Sequence, residues 1–425
     1  MSSSLSDWRA FAARNYRPFR LLAIAQGFIG ALTGPAITIP LLLALGAHPA
    51  LATVIAVLPA VGTMTQRWLP AMLDRTDGNL RGIVILFATI GEPRGLLLAA
   101  AVALTAVGLL PAWATIALIG IVSGLLGALG SIAYSLQQSW YQIILPDEER
   151  RLVAPRLGGI TLGIGSVVLL PIALTIDGLV ASVGLWAYAV PLLISGLAGM
   201  VPLVVLRRLR APGRIRVPRE TPWKSDAHAR LRRHGNVMTL ALLSGGLSPF
   251  LSVYAMTVLG SGAGFAIALS AISSGTLVLA SLHVSTRLRG GSASRLLRGS
   301  FVLRGAALFL GLAAHPINPA APAVLIVVAV LLAAGDTAGQ LAANERLFRL
   351  ATGPGVLAFQ SHFVVRNVGA YTGGVAISSV VMLLGGYAAF AILFFGAGIV
   401  RLTAARVIEV TTTARLPEHA EGATA

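Results

Sequence analysis

The stretch GIVILFATIGEPRGLLLAAAVALTAVG, residues 82–108, decides the fold class of this chain. As an α-helix it is long enough to cross the hydrocarbon core of a bilayer, which requires about 20 predominantly apolar residues. Glu92, Pro93 and Arg94 interrupt it near the middle. Because an ionisable group within a membrane needs a partner or water, both charges predict contacts with other helices or with a polar cavity.

Composition shows that the rest of the chain repeats this pattern. Hydrophobic residues make up 56% of the 425 residues and charged residues only 11%, whereas a soluble domain carries about 25% charged residues. The apolar runs are about twice as long as the ~10-residue strands of a membrane barrel. The sequence therefore predicts an all-α polytopic membrane protein with twelve transmembrane spans. Numbered in chain order, the spans are 19–43, 50–72, 82–109, 115–145, 157–177, 187–206, 237–259, 264–286, 296–314, 322–347, 359–384 and 387–408.

The basic residues predict the orientation of these spans. Lys and Arg together number 32, and Lys224 is the one lysine. With the N-terminus inside, all but Arg94, Arg304 and Arg366 fall at the inner side, Arg401 among them, and the six outer loops hold none. This is the distribution that the positive-inside rule requires. We therefore expect a multi-pass protein of the bacterial inner (plasma) membrane with both termini cytoplasmic, and the net charge of +17 does not indicate a nucleic-acid partner.

Weak matches between distant segments predict an internal duplication. Arg94-Gly95 in span 3 matches Arg304-Gly305 in span 9, and Pro146 after span 4 matches Pro354 after span 10, at offsets of 210 and 208. Two six-helix bundles related by an axis along the membrane normal are one architecture of secondary transporters. The predicted units are a cytosolic N-terminal segment 1–18, a bundle 19–206, a basic cytosolic linker 207–236, a second bundle 237–408 and a disordered cytosolic tail 409–425.

Two loops add a family resemblance. In PAMLDRTDGNLR, residues 70–81, Asp74, Arg75, Gly78 and Arg81 resemble the loop motif between helices 2 and 3 of the major facilitator superfamily, and LPDEERR, residues 145–151, resembles its loop after helix 4. The twelve-span plan resembles this superfamily over nearly the whole chain. The resemblance implies a secondary transporter working by alternating access, with spans 1, 4, 7 and 10 around the cavity and spans 3, 6, 9 and 12 peripheral. The Arg in span 4 and the Gly-Pro pair in span 5 that are usual in its drug/proton antiporters are absent here.

Polar residues inside the spans are the candidate site residues, because such residues are rare in lipid and are functional candidates by default. Asp336, Gln340 and Asn344 recur every four residues and form a polar stripe on span 10. The stripe predicts a cavity wall or, alternatively, a hydrogen-bonded contact between helices. The predicted solute-cavity residues are Gln26, Thr38, Tyr134, Gln138, Asp336, Gln340, Asn344 and Arg366.

Other charged residues predict proton coupling or structural roles. Glu92 and Asp336 are the candidates for proton coupling, since a carboxyl group inside the membrane can bind and release a proton. Arg94 and Arg304 predict either substrate contacts or buried ion pairs that stiffen each half. Pro93 predicts a kink in span 3, because proline lacks a backbone N–H and clashes with the preceding turn. The predicted structural or gating residues are Asp74, Arg75, Arg81, Arg94, Arg304 and Glu345.

The sequence argues against an enzyme. It has no cysteine and no HExxH motif, and Lys224-Ser225 lacks the upstream glycines of a phosphate-binding loop. We therefore expect no metal and no cofactor. The expected partners are a small-molecule solute, the lipid bilayer and protons, and we expect a monomer. The alternative is a transporter-shaped protein without transport, with a lipid-handling, sensory or assembly role.

Overall fold

The computed structural model describes residues 5–144, 147–209, 226–244, 247–288, 293–350 and 354–413. In these residues every regular element is helical, which confirms the predicted all-α class. One of these elements is a 3₁₀ helix, Gly62–Trp68. Most of the linker and the last part of the tail, 210–225 and 414–425, lie outside the described residues. The α-helices are α1 Leu5–Leu32, α2 Pro35–Ala44, α3 Pro49–Val61, α4 Leu69–Arg75, α5 Leu80–Gly91, α6 Arg94–Ala106, α7 Ala112–Ile144, α8 Asp147–Val183, α9 Trp186–Ala198, α10 Val201–Arg208, α11 Asp226–Leu242, α12 Leu247–Thr257, α13 Ala263–Leu288, α14 Ala293–Gly311, α15 Ala321–Leu350, α16 Pro354–Met382 and α17 Gly386–Thr413.

These helices follow the order of the predicted spans when the helices on either side of a short break are counted together. Spans 1, 2, 3, 6 and 7 each consist of two α-helices, namely α1 and α2, α3 and α4, α5 and α6, α9 and α10, and α11 and α12. Within the described residues, eight units are long and apolar enough to cross a membrane. The chain is therefore an integral multi-pass membrane protein. The full count of twelve spans is consistent with this arrangement and stays a prediction.

Prolines explain two of the breaks. The predicted kink of span 3 is confirmed, because α5 ends at Gly91 and α6 begins at Arg94, on either side of Pro93. In span 1 the break was not predicted: Gly34 adopts an extended conformation and Pro35 starts α2. A proline at the first position of a helix costs nothing, since its missing N–H would have had no partner there. Both breaks lie near the middle of a span and expose backbone carbonyls for side chains to use.

Two equivalent arginine–glycine contacts support the internal duplication. Arg94 packs on α7, where a Cβ on Gly130 would lie 2.6 Å from its Nη1. Arg304 packs on α15, where a Cβ on Gly335 would lie 2.5 Å from its Cγ. The two arginines are 210 residues apart in the sequence, as are Gly95 and Gly305 beside them. Each half therefore packs one arginine side chain against a glycine of its fourth span.

The N-terminal half (residues 5–209) and the C-terminal half (residues 226–413) share buried core residues at one end. We call this the outer end; α2 finishes and α13 begins there. Residues of α2 and α3 belong to a core cluster otherwise made by the C-terminal half, and residues of α13 belong to the core cluster of the N-terminal half. At the opposite, inner end, beside the arginine-rich loops, each of the two core clusters found in the described residues is built from one half alone.

Two details, the position of Arg401 and the end of α17, differ from the sequence expectations. Arg401, assigned by sequence to the inner positive charges, is 1% exposed and lies inside the C-terminal half. Helix α17 continues through residues 409–413, where the sequence predicts a disordered tail. Helix α1 starts at Leu5, so residues 5–18 of the N-terminal segment form a helix that is continuous with span 1.

Candidate functional site

A cavity of about 390 Å³ lies between the two halves, near the middle of the spans. Its walls come from α1, α2 and α8 on one side and from α12, α13 and α15 on the other. Small-molecule sites usually occupy about 300–1,000 Å³. Spans 1, 7 and 10 line the cavity, as the resemblance implies. Spans 5 and 8 also take part, whereas no described residue of α7 (span 4) does.

The cavity walls combine apolar side chains with a few polar groups. Asp336 is the one charged side chain among the described lining residues, and Gln26 supplies an amide. Four serines and a threonine supply hydroxyl groups: Thr161, Ser252, Ser270, Ser273 and Ser274. A mostly apolar pocket with a small number of placed polar groups is typical of a binding site for a small solute.

On the C-terminal wall, Asp336 forms an ion pair with Arg304 of α14. The side chain of Arg304 is 12% exposed and that of Asp336 is 35% exposed, so the carboxylate faces the cavity with the guanidinium behind it. Arg401 of α17 lies nearby and stacks on the ring of Phe301 at 5.7 Å. Its Nε and Nη2 atoms are buried without a hydrogen-bond partner in the described residues. Two guanidinium groups therefore lie close to one carboxylate.

On the N-terminal wall, Gln26 connects the cavity to Glu92. The Gln26 Nε2 atom donates a hydrogen bond of 2.8 Å to Glu92 Oε1. Glu92 is 1% exposed and lies at the break between α5 and α6. Tyr134 of α7 lies within electrostatic range of the same carboxyl group. The break in span 3 thus places a buried carboxyl group directly behind the cavity wall.

Arg94 donates its hydrogen bonds to groups of the protein itself. Its Nη1 donates to the carbonyl of Gly91, over 3.1 Å, and its Nη2 donates to the hydroxyl of Thr33, over 2.9 Å. These acceptors lie at the two helix breaks in spans 3 and 1. The arginine therefore joins both breaks, and it does not line the cavity.

The remaining predicted cavity residues lie elsewhere. Thr38 is buried in α2 and donates to the carbonyl of Thr33, and Gln340 is exposed without lining the cavity. Arg366 is exposed and its Nη1 donates to Asn236 Oδ1 over 2.6 Å. The side chains of Gln138 and Asn344 lie outside the described residues.

The predicted gating residues lie near the inner end. Asp74 and Arg75 are exposed in the turn of α4, and Arg81 donates a hydrogen bond to the carbonyl of Arg207. This last contact ties the start of span 3 to the end of span 6. Glu345 is half-buried on α15.

Two contacts that the sequence did not predict join the halves across the outer end. Asp177 of α8 accepts a hydrogen bond from the backbone N–H of Gly264 in the first turn of α13. About two turns further along α13, the carbonyl of Ala271 accepts a hydrogen bond of 2.9 Å from the Ser166 hydroxyl. Asp177 ends predicted span 5, and an acidic residue at a span boundary looks like an ordinary interfacial charge. The sequence feature that could have singled out Asp177 is its position as an acidic residue next to an outer loop without arginine.

Comparison with known proteins shows similarity in structure only. No protein-family model matches the chain, and no curated protein matches it in sequence. The chain is similar to a POT family transporter in complex with 5-aminolevulinic acid, with a TM-score of 0.69 and 13% identity over 94% of this chain and 96% of that one. It is also similar to a bacterial homologue of the iron transporter ferroportin in an outward-facing state, with a TM-score of 0.61 and 16% identity over 93% and 99% of the two chains.

A third similar structure is the nucleoside transporter NupG, with a TM-score of 0.60 and 14% identity over 94% of this chain and 99% of that one. All three likenesses span nearly the whole of both chains, and at such low identity they concern the fold. Together with the all-helical architecture, they confirm what the sequence resemblance predicted: the chain has the fold of the major facilitator superfamily.

Proposed function

We propose that the protein is a secondary transporter that carries a small solute across the membrane by alternating access. The supporting observation is the cavity at the centre of the spans, enclosed by halves that share core clusters at the outer end but not, in the described residues, at the inner end. Alternating access requires two bundles that rock about such a central site. Solute transporters that have the same fold agree with this proposal.

In this proposal the inner end faces the cytoplasm, because the arginines gather there. The structure then represents a state that is closed to the outside. The two moving bodies are the bundles 19–206 and 237–408, joined by the linker 207–236, with the segments 1–18 and 409–425 in the cytoplasm of a bacterial cell. Reporter fusions within 207–236 should be active as cytoplasmic reporters, and periplasmic activity would reverse the orientation. The transporter acts as a monomer, without a nucleic-acid partner or a cofactor.

The proposed roles of the site residues follow their positions. Gln26 and Asp336 contact the solute from opposite walls, and Glu92 or Asp336 carries the proton. Of the two, Glu92 is the better proton carrier. Among the described residues its side chain forms a hydrogen bond with the neutral amide of Gln26, whereas Asp336 forms an ion pair with Arg304. The other predicted cavity residues, Thr38, Tyr134, Gln138, Gln340, Asn344 and Arg366, would take part in other conformations of the cycle.

The solute is not expected to be held by arginine. Neither Arg94 nor Arg366 lines the cavity, and both donate hydrogen bonds within the protein. A first test panel consists of 5-aminolevulinic acid, alanyl-alanine and uridine. They cover small solutes with an ammonium group, a peptide group and a neutral ring.

Transport is tested with purified protein in proteoliposomes, by counterflow of each radiolabelled panel solute. We expect saturable flux that Gly30→Phe abolishes, because Gly30 lines the cavity and a side chain there enters open space. The matched control is Gly158→Phe, since a Cβ on Gly158 also meets nothing within 4 Å but the residue does not line the cavity. Equal loss of flux in both variants would contradict the assignment of the cavity.

A second test does not depend on the choice of solute. The chain has no cysteine, so Ser273→Cys places a single thiol in the cavity. In oriented vesicles a membrane-impermeant maleimide should label it from the cytoplasmic side, and also from the periplasmic side at a lower rate. Labelling from neither side would rule out alternating access and favour a transporter-shaped protein without transport.

A further inference from the structure

The hydrogen bond between Gln26 and Glu92 links the cavity to a carboxyl group that lies outside it. Gln26 lines the cavity, whereas Glu92 is 1% exposed and does not. The amide nitrogen of Gln26 is the donor and Oε1 of Glu92 is the acceptor, over 2.8 Å. An ionised Glu92 can accept hydrogen bonds at both carboxylate oxygens, so the contact is compatible with the ionised form.

The other groups around Glu92 leave Gln26 as its side-chain hydrogen-bond partner among the described residues. On the same span Arg94 acts on Glu92 through space but donates its hydrogen bonds to other acceptors. From α7, Tyr134 is the titratable group within electrostatic range. At the break between α9 and α10, Gly199 packs on the backbone carbonyl of Glu92 and brings no charge. Helix α1 presents the neutral amide of Gln26.

Protonation of Glu92 at Oε1, the atom that contacts Gln26, would reverse the direction of this hydrogen bond. A proton on Oε1 converts that atom from an acceptor into a donor. The amide of Gln26 can then keep the contact only by a half-turn that directs its carbonyl oxygen to Glu92. The half-turn moves the NH₂ group toward the cavity. A buried group that is left without a hydrogen-bond partner destabilises the protein, and this penalty favours the rotation.

We propose that Gln26 is the residue that couples solute binding to protonation, by reversing the hydrogen-bonding polarity of the cavity wall. This inference rests on the proposed transport function. With Glu92 ionised, Gln26 presents a carbonyl oxygen to the cavity; with Glu92 protonated, it presents N–H donors. The proton comes from water in the cavity, forms an O–H bond with Oε1, and returns to water when that bond breaks after the cavity has opened to the other side. No electrons are transferred.

The two walls together define a class of solute. Protonated Glu92 turns Gln26 into a donor, which fits a carbonyl, carboxylate or hydroxyl oxygen of the solute. On the opposite wall Asp336 offers an acceptor, which fits an ammonium, amide or hydroxyl donor. The solute is therefore a small molecule with a hydrogen-bond acceptor at one end and a donor at the other. It binds to the protonated form, so proton and solute move together, as in a symporter.

Infrared difference spectroscopy of the purified full-length protein tests the coupling without any solute. A pH step should produce a carboxylic-acid C=O band that disappears in Glu92→Gln, together with a side-chain amide band that disappears in Gln26→Leu. In Gln26→Leu the carboxylic-acid band should persist at a changed frequency and with a changed titration midpoint. The control is Gln26→Asn, which keeps an amide group but is too short to reach Glu92, so it should behave like Gln26→Leu. Agreement between these two chemically different variants would show that the effect does not come from a folding defect in one of them.

Transport of the three-solute panel gives the second readout. Glu92→Gln should retain counterflow and lose accumulation driven by a pH gradient, down to the level of protein-free liposomes. Gln26→Leu should also lose pH-driven accumulation although its Glu92 still titrates. A structural role alone would lower counterflow and accumulation together.

The outcomes separate this inference from the transport proposal. The inference is overturned if Gln26→Leu leaves the frequency and midpoint of the Glu92 band unchanged, or if Glu92→Gln still accumulates solute along a pH gradient. If the bands respond as described but the wild type transports nothing and Ser273→Cys is never labelled, the transport proposal fails while the link between Gln26 and Glu92 stands.

Discussion

The carboxylate of Asp177 on α8 accepts a hydrogen bond of 3.1 Å from the backbone N–H of Gly264, in the first turn of α13. The bond crosses from the N-terminal to the C-terminal half at the outer end. A helix N-terminus has unsatisfied N–H groups and a partial positive charge, so it favours an anionic side chain. Gly262 allows the close approach, since a Cβ there would lie 2.3 Å from Asp177 Oδ2. Asp177 thus joins the two halves at the outer end.

Removing this contact should shift the protein toward a state that is open to the outside. Loss of an N-terminal capping side chain costs about 1 kcal/mol, which is roughly a fivefold change in the ratio of open to closed states. We expect Asp177→Ala to have the larger effect and Asp177→Asn the smaller one, because the amide keeps an acceptor but loses the charge.

Spin labels can measure this shift directly, because the chain has no native cysteine. Leu109→Cys and Ile317→Cys place labels in exposed loops of the two halves at the outer end, where the native side chains are 74% and 85% exposed. Pulsed-EPR distance distributions should gain a longer component in the order wild type, Asp177→Asn, Asp177→Ala. Identical distributions in all three proteins would show that the contact does not hold the gate.

Breaking the ion pair between Arg304 and Asp336 should destabilise the C-terminal half. Removing one partner of a fully buried pair typically costs about 3–5 kcal/mol, because the other charge is left uncompensated. The cost should be smaller here, because the side chain of Asp336 is 35% exposed. In Asp336→Asn the positive charges of Arg304 and Arg401 would both remain. We expect a clear fall in the thermal-unfolding midpoint. Tryptophan fluorescence of the detergent-purified protein measures this midpoint.

The double variant Arg304→Met with Asp336→Asn supplies the control for this prediction. It removes both charges of the pair, so its unfolding midpoint should lie above that of Asp336→Asn alone. Purely additive effects of the two substitutions would mean that the pair contributes no coupling energy.

The fold was largely predictable from the sequence because each span is specified by its own residues. Apolar length places the helices, and Pro93 alone explains the break in span 3. The positions of the arginines predict the orientation of the helices in the membrane. The breaks at Gly34 and at Gly199 were harder to predict. Glycine is common within membrane helices, where it allows close packing, so these two residues did not stand out from the other glycines in the chain.

The candidate site was only partly predictable, because its contacts join distant segments. Gln26, Glu92 and Asp336 stand out in sequence as polar groups inside apolar spans. Their partners depend on how the spans pack, and the sequence did not show that Gln26 would reach Glu92. Arg401 was misassigned because it lies about two turns from the end of its predicted span, 387–408. At that depth an arginine can reach the interface or point into the bundle, and only packing decides between these positions.

Placing a methyl group between Arg304 and α15 should weaken the same half by a steric route. In Gly335→Ala the new Cβ would lie 2.5 Å from Arg304 Cγ and 3.2 Å from the carbonyl oxygen of Ser300. Overpacking of this kind costs about 1–3 kcal/mol. The control is Gly299→Ala on α14, whose Cβ meets nothing within 4 Å. It should be neutral or stabilising, since alanine favours a helix over glycine by up to about 1 kcal/mol. Equal unfolding midpoints for the two variants would contradict the packing argument.

His234 should make the protein sensitive to mild acid. It lies on α11 before predicted span 7, is 4% exposed, and its Nδ1 has no hydrogen-bond partner in the described residues. Burial, and secondarily the positive charge of Arg346, lowers the pKa of His234 to about 4 from an ordinary value of 6.5. Between these values the unfolded chain binds a proton that the folded protein does not. Stability is therefore complete above pH 6.5 and is lost as the pH falls toward 4.

The size of this loss follows from the width of the window. A shift of one pKa unit corresponds to about 1.4 kcal/mol, so the lowered pKa of His234 is worth on the order of 3 kcal/mol between pH 6.5 and 4. His234→Gln has no such titration. The difference in unfolding midpoint between His234→Gln and the wild type should therefore move in favour of the variant as the pH is lowered through this window, and change little above it. A difference that stays constant from pH 7.5 to 4 would show that His234 is protonated equally in the folded and unfolded chains.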